Sequence, residues 1–125
     1  MKPVTPRYFT IPAPSSAEPA QTLARRIHLR DGRVCAYCGA ANVPLVIDHV
    51  RARSHFPATA PPSTVNDPGN LVAACEGCNG AKGPQNLDGF AAMLRGRGVP
   101  AKAVTAMKRR VNVCLRRPLP LSFVS

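Results

Sequence analysis

The sequence predicts one small α+β domain, and three observations support this fold class. The chain has 125 residues, the size of a single domain with no room for a second core. A β-branched segment, 44–50, is bounded by turn residues and predicts a short hairpin within 33–50. Segments with helical spacing lie on both sides of this hairpin, at 17–30, 86–95 and 100–117.

The N-terminal part is expected to hold an arm and one helix. Residues 1–14 are rich in proline and lack periodicity, so we expect an extended arm ahead of a single domain at 15–125. Ser15 and Ser16 are candidate N-caps for the first helix, which should end before the Asp-Gly pair at 31–32.

Beyond the hairpin, we expect a long loop, two short helical turns and two helices. Residues 51–69 hold four prolines and predict a long loop, which in so small a domain is more often functional than idle. Short helical turns are expected at 70–74 and 79–82. The helix at 100–117 has an apolar stripe formed by Val104, Met107, Val111 and Cys114. Its cysteine is therefore expected to be a buried thiol without a chemical role.

Charge and composition narrow the function classes. The 17 Lys and Arg against six Asp and Glu give a net charge of +11, which favours a polyanionic partner such as nucleic acid. No apolar segment approaches the roughly eighteen residues of a membrane span, and prolines among the first twenty residues interrupt any signal peptide. We therefore expect a cytoplasmic protein without a membrane partner. Only six aromatic residues (two Tyr and four Phe) argue against a base-stacking platform for single strands.

Four of the five cysteines form two Cys-x-x-Cys pairs, Cys35 with Cys38 and Cys75 with Cys78. A two-residue gap lets both thiolates of a pair face one metal ion, and two pairs complete a tetrahedral zinc site. For one pair alone, a redox dithiol or chance spacing would be the alternative. With only six aromatic residues the apolar core should be thin, and structural zinc would help to hold it, because metal-binding free energy is folding free energy.

Further polar blocks lie between and after these pairs: Asp48-His49-Val50, Asn70-Leu71-Val72 and Asn79-x-x-Lys82-Gly83. Together with the cysteines, they resemble the HNH endonucleases, the zinc-containing ββα-metal (His-Me finger) nucleases. Asn79 at the third motif position is similar to the H-N-N subgroup. The resemblance covers 33–83 and implies a treble-clef-like, zinc-stapled core with flanking N- and C-terminal helices, the C-terminal part at 84–117 being basic.

The resemblance also implies a role for each site residue. His49 would be the general base, which suits a side chain whose ordinary pKa is near 6.5. Asp48 and Asn79 would bind the catalytic divalent ion, Mg²⁺ or Mn²⁺, since an amide ligand suits these hard cations. Asn70 would brace the loop and orient His49. Because neighbours on a strand point to opposite sides, Asp48 and His49 can serve one site only where the strand ends or bends.

Basic residues near the motifs and on the outer face of the last helix are candidates for contact with DNA phosphate. The alternative for each is a solvated charge or, for Lys82, a helix cap. His55 is a weaker candidate for the metal or leaving group, and His28 is expected at the surface. The candidate nucleic-acid-binding residues are Arg51, Arg53, Lys82, Lys108, Arg109 and Arg110.

The predicted function is metal-dependent hydrolysis of DNA phosphodiester bonds, as a nick or a double-strand cut. Two alternatives remain open: a non-catalytic zinc module that binds nucleic acid, and a regulator or inhibitor with a nuclease fold. A monomer and a homodimer are equally compatible with the sequence.

Overall fold

The structure, a computed structural model, describes residues 20–120. The predicted arm at 1–14 and the candidate caps Ser15 and Ser16 lie outside this range. Within it no helix is long and apolar enough to cross a membrane. The described helices are α1 (Ala20–Arg30), α2 (Pro62–Val65), α3 (Glu76–Lys82), α4 (Leu87–Gly96) and α5 (Ala101–Arg116), and the described strands are β1 (Leu45–His49) and β2 (Leu71–Cys75).

The partner of β1 differs from the predicted hairpin within 33–50. β1 pairs antiparallel with β2, so that His49 lies opposite Leu71 and Leu45 opposite Cys75. The helical turn expected at 70–74 is therefore wrong. Its short apolar sequence has no periodicity that separates a buried strand from a helix, and the burial of β2 on both faces explains why. Within 33–50, an isolated bridge joins Val34 to Ala41 and closes the first cysteine turn.

β2 lies at the centre of the core because its alternate side chains enter two apolar clusters. Val72 packs with residues of α4 and α5, whereas Leu71 packs with residues of α1 and with Ile47 of β1. The apolar stripe predicted for the last helix is confirmed, and burial raises the pKa of the Cys114 thiol to about 11. The fold is thus a two-stranded sheet between helices, as the α+β prediction required.

The end of α1 is tied to β2 by a buried ion pair that the sequence did not reveal. Asp31 accepts hydrogen bonds from Arg30 Nε and from the backbone N of Ala73, both at 2.8 Å. Nearby, His28 is half-buried rather than at the surface, and burial lowers its pKa. It lines a cavity of about 510 Å³ that is distinct from the cleft holding Asp48.

The predicted loop at 51–69 contains more structure than expected. α2 lies within it, and two short 3-10 turns occupy 53–55 and 68–70. The turn predicted at 79–82 belongs to the longer helix α3, whose first residue follows directly on β2.

Candidate functional site

The two cysteine pairs come together at one point, as predicted. The Sγ atoms of Cys35, Cys38, Cys75 and Cys78 all lie within 4.8 Å of one another. The backbone N–H groups of Cys38 and Cys78 each donate to the first sulfur of their own pair at 3.4 Å. A hydrogen bond from Cys78 lowers the pKa of the Cys35 thiol to about 4. Four sulfurs supported by N–H donors form a site that fits a structural zinc ion.

A cleft of about 300 Å³ lies beside this cluster, and three of the predicted catalytic residues line it: Asp48, His49 and Asn79. Asp48 and His49 are the last two residues of β1, so the strand ends where both are needed. Asn79 follows Cys78 within α3, and a metal on the cysteines would fix its position. All three side chains are buried. The cleft thus brings together a carboxylate, an imidazole and an amide.

The carboxylate of Asp48 is anchored by two neighbours. Its Oδ2 accepts a hydrogen bond from the hydroxyl of Tyr37 and lies 3.2 Å from Nζ of Lys82. Burial raises the pKa of Asp48, and Lys82 acts against this rise. Burial and the neighbouring Asp48 raise the pKa of Tyr37, so its hydroxyl remains a donor.

The predicted contact between Lys82 and nucleic acid is wrong, because this side chain is buried. Its side chain is 0% exposed, and its Nζ also donates to the backbone O of His49 at 2.9 Å. A fully buried ammonium cannot contact phosphate. Lys82 instead joins α3 to the end of β1, where Asp48 and His49 lie.

The imidazole of His49 contacts a residue that the sequence analysis did not identify. Its Nε2 lies 2.7 Å from Oδ1 of Asn66, which directly follows α2. Burial lowers the pKa of His49, while the bond with Asn66 acts in the opposite direction with a smaller effect. The unusual loop was the sole sequence signal near Asn66, and no spacing distinguished this asparagine from the others.

Asn70 braces the loop but does not line the cleft. Its Nδ2 donates to the backbone O of Arg51 at 3.1 Å and of Val65 at 3.0 Å. Its Oδ1 accepts from the backbone N of Arg51 at 2.8 Å. The imidazole contact expected of Asn70 is made by Asn66 instead.

The remaining basic candidates point in several directions. Arg53 is exposed and lines the cleft. Arg51 lies 4.2 Å over the ring of Phe56, and it lines a neighbouring groove of about 420 Å³ together with His55 and Lys108. His55 thus lines this groove and is not among the described residues that line the cleft with Asp48.

The basic side chains of α5 that were predicted to contact nucleic acid have different surroundings. Lys108 makes an exposed ion pair with Asp88 at 3.0 Å. Arg110 donates to the backbone O of Tyr37 at 2.8 Å and so covers the first cysteine turn. Arg109, which lies between them in sequence, is exposed.

Comparison with known proteins agrees with this site. Residues 35–85 match the model of the HNH family, described as HNH endonuclease. This range contains both cysteine pairs and the residues of the cleft. This match, over about two-fifths of the chain, confirms the resemblance to the HNH endonucleases found in the sequence.

One solved structure that matches is the Type II-C Cas9 enzyme from Actinomyces naeslundii, at 22% sequence identity and a TM-score of 0.38. The match covers 74% of this chain and 12% of the Cas9 chain, so this chain spans a small part of that protein. No curated protein matches the chain.

Proposed function

We propose that this protein is a metal-dependent endonuclease that hydrolyses DNA phosphodiester bonds. The observation that carries the proposal is the convergence of Asp48, His49 and Asn79 on one cleft, beside a four-cysteine cluster and within the residues that match the HNH family. The net charge of +11 supports a polyanionic substrate. The cysteine ligands, which must stay reduced, suit a cytoplasmic location.

The donor set of the cleft fits a hard divalent ion. The carboxylate of Asp48 and the amide oxygen of Asn79 are the oxygen ligands that Mg²⁺ and Mn²⁺ prefer. When bound there, the ion would supply positive charge to the scissile phosphate and to the departing 3′ oxygen. Tyr37 and Lys82 both contact Oδ2 of Asp48, so Oδ1 would be the oxygen that remains for a metal ion.

His49 acts as the general base in this proposal. Because burial lowers its pKa, the imidazole is uncharged at neutral pH and can accept a proton from water. The water oxygen bonds to phosphorus as the bond to the 3′ oxygen breaks, and the 3′ oxygen takes a proton from solvent, which leaves 5′-phosphate and 3′-hydroxyl ends. Lys82, through its bond to the backbone O of His49, holds the base at the end of β1.

Further phosphate contacts, at the cleft and beyond it, would position the duplex without reading its sequence. Arg53 is the nearest candidate because it lines the cleft itself. Arg51 and Lys108 share the neighbouring groove and would follow the backbone there. We also propose Arg109 and Arg110 as more distant contacts.

The test is relaxation of a supercoiled plasmid by the zinc-loaded protein in Mg²⁺, with Mn²⁺ in parallel and EDTA as the control. The proposal expects nicked or linear plasmid that depends on the added cation. Binding of DNA without cleavage in either metal would favour the alternative, a non-catalytic zinc module. Retention of zinc in EDTA, measured in the same samples, separates loss of the catalytic ion from unfolding.

A further inference from the structure

Asn66 is the buried side chain that contacts the imidazole of His49. Its Oδ1 lies 2.7 Å from Nε2, and the two residues are 3% and 7% exposed. The backbone N of Asn66 donates to the O of Pro62 at 2.8 Å, which holds the residue at the end of α2. The contact is therefore shielded from water and comes from a residue fixed at its own backbone.

The loop that carries Asn66 is clamped to the chain that follows His49. Asn70 bonds both to Arg51, two residues after His49, and to Val65, directly before Asn66. The backbone N of Val50 also donates to the O of Asn70 at 2.8 Å. One asparagine thus fixes the two backbone segments on either side of the contact, and it acts on the imidazole through Asn66.

We propose that Asn66 is the positioning residue of the general base: its Oδ1 accepts the Nε2–H of His49 and leaves Nδ1 as the nitrogen that takes the proton from water. A neutral imidazole carries one proton, and an amide oxygen only accepts, so this contact selects the tautomer. Once Nδ1 is protonated, the Nε2–H donor belongs to a cation and the bond to Oδ1 becomes stronger. The inference rests on the proposed function, because it assigns the nitrogen that performs the base's task.

The amide nitrogen of Asn66, Nδ2, supports a functional role for this residue. Its Nδ2 is buried and, among residues 20–120, has no hydrogen-bond partner. A buried donor without a partner destabilises the fold, so asparagine is a poor choice for stability alone. Functional sites are where such departures are expected. If the Asn66 amide had the opposite orientation, its Nδ2 would donate to Nε2 and the imidazole proton would lie on Nδ1. The experiment below distinguishes these two tautomers of His49.

The test compares wild type with Asn66→Ala, Asn66→Asp and the control Thr64→Ala, an exposed change on the same short helix. ¹⁵N NMR of the histidine-labelled protein, without DNA or Mg²⁺, should find the proton of neutral His49 on Nε2 in wild type and in Asn66→Asp. In Asn66→Ala the two tautomers should mix. A wild-type protein with its proton on Nδ1 would overturn the proposal, whatever the variants do.

Plasmid cleavage supplies the second readout. Asn66→Ala should lower kcat by about tenfold or more with KM unchanged, whereas Asn66→Asp, which still accepts from Nε2–H, should recover most of the rate. Thr64→Ala should cleave like wild type. A folded Asn66→Ala that cleaves at the wild-type rate would contradict the positioning role. If the wild-type protein has the expected tautomer but does not cleave DNA, the proposed function is contradicted, whereas the contact between Asn66 and His49 is still supported.

Discussion

The carboxylate of Asp48 and the ammonium of Lys82 form an ion pair 3.2 Å long, with both side chains almost wholly buried. Asp48 lies in β1, and Lys82 is the last residue of α3, the helix that contains Cys78. The pair therefore joins the strand that carries His49, the proposed base, to the helix that contains a cysteine of the cluster. A metal ion on the cysteines would therefore be coupled to the geometry of the cleft through this contact.

Lys82→Met should destabilise the protein and weaken binding of the catalytic metal. Removing one partner of a buried pair leaves an uncompensated charge, which costs about 3 kcal/mol or more in the free energy of unfolding. Urea denaturation and the Mg²⁺ dependence of cleavage measure both effects. The matched control is Lys102→Met on the exposed side of α5. Equal stability of the two variants would show that the buried pair does not hold the cleft.

Cys38→Ser should lose zinc and leave the chain largely unfolded, because metal binding and folding are one equilibrium. Although Cys38 is exposed, its sulfur lies 3.9 Å from that of Cys75 and belongs to the cluster. Cys114→Ala is the control, since it removes a buried thiol outside the cluster and should keep a full zinc content. Zinc analysis and circular dichroism provide the readouts. A folded Cys38→Ser with bound zinc would contradict the four-cysteine site.

Cleavage should depend on pH through the neutral form of His49. Burial lowers the pKa of this group from 6.5, so the base is already deprotonated at neutral pH. Measured at saturating Mg²⁺, kcat should be flat above about pH 7 and fall only as the pH drops through the lowered pKa. Between that pKa and 6.5 the unfolded chain binds more protons than the folded one. The stabilisation from this group, present above 6.5, is therefore lost as pH falls. A midpoint for kcat above 7 would contradict the assignment.

DNA affinity should fall steeply with salt and vary little with sequence. Binding through phosphate releases counterions, so the slope of log K against log[salt] is about −0.9 for each phosphate neutralised. Arg53→Ala should reduce the magnitude of the slope by about one if Arg53 contacts phosphate in the cleft. Fluorescence anisotropy with two unrelated duplexes over a salt series measures this. Affinity that stays constant from low to physiological salt would exclude a phosphate-based interface.

Local spacing was sufficient to predict the parts of the site that lie next to each other in sequence. The pairs Cys35–Cys38 and Cys75–Cys78 meet as expected because each two-residue gap turns both sulfurs the same way. Asn79 reaches the cleft because it follows a predicted metal ligand. Asp48 and His49 share the cleft because β1 ends there, as the alternation of side chains along a strand requires.

The residues that hold this site could not be predicted, because their partners are distant in sequence. Tyr37 and Lys82 meet Asp48 only after the cysteine turns bring α3 beside β1. The same pairing of distant segments makes β2 a strand and buries the ammonium of Lys82, which sequence alone presents as an ordinary surface charge. Asn66 reaches His49 only because Asn70 folds the loop back onto the end of β1.

The comparison of wild type with His49→Ala, at equal zinc content, tests the central claim most directly. Supercoiled-plasmid cleavage in Mg²⁺ should fall by about a hundredfold or more, because the base is removed. Zinc content, the circular dichroism spectrum and DNA affinity should stay as in wild type. Cleavage by His49→Ala at the wild-type rate would contradict the nuclease assignment of this cleft, and loss of zinc would show that His49 is a ligand rather than the base.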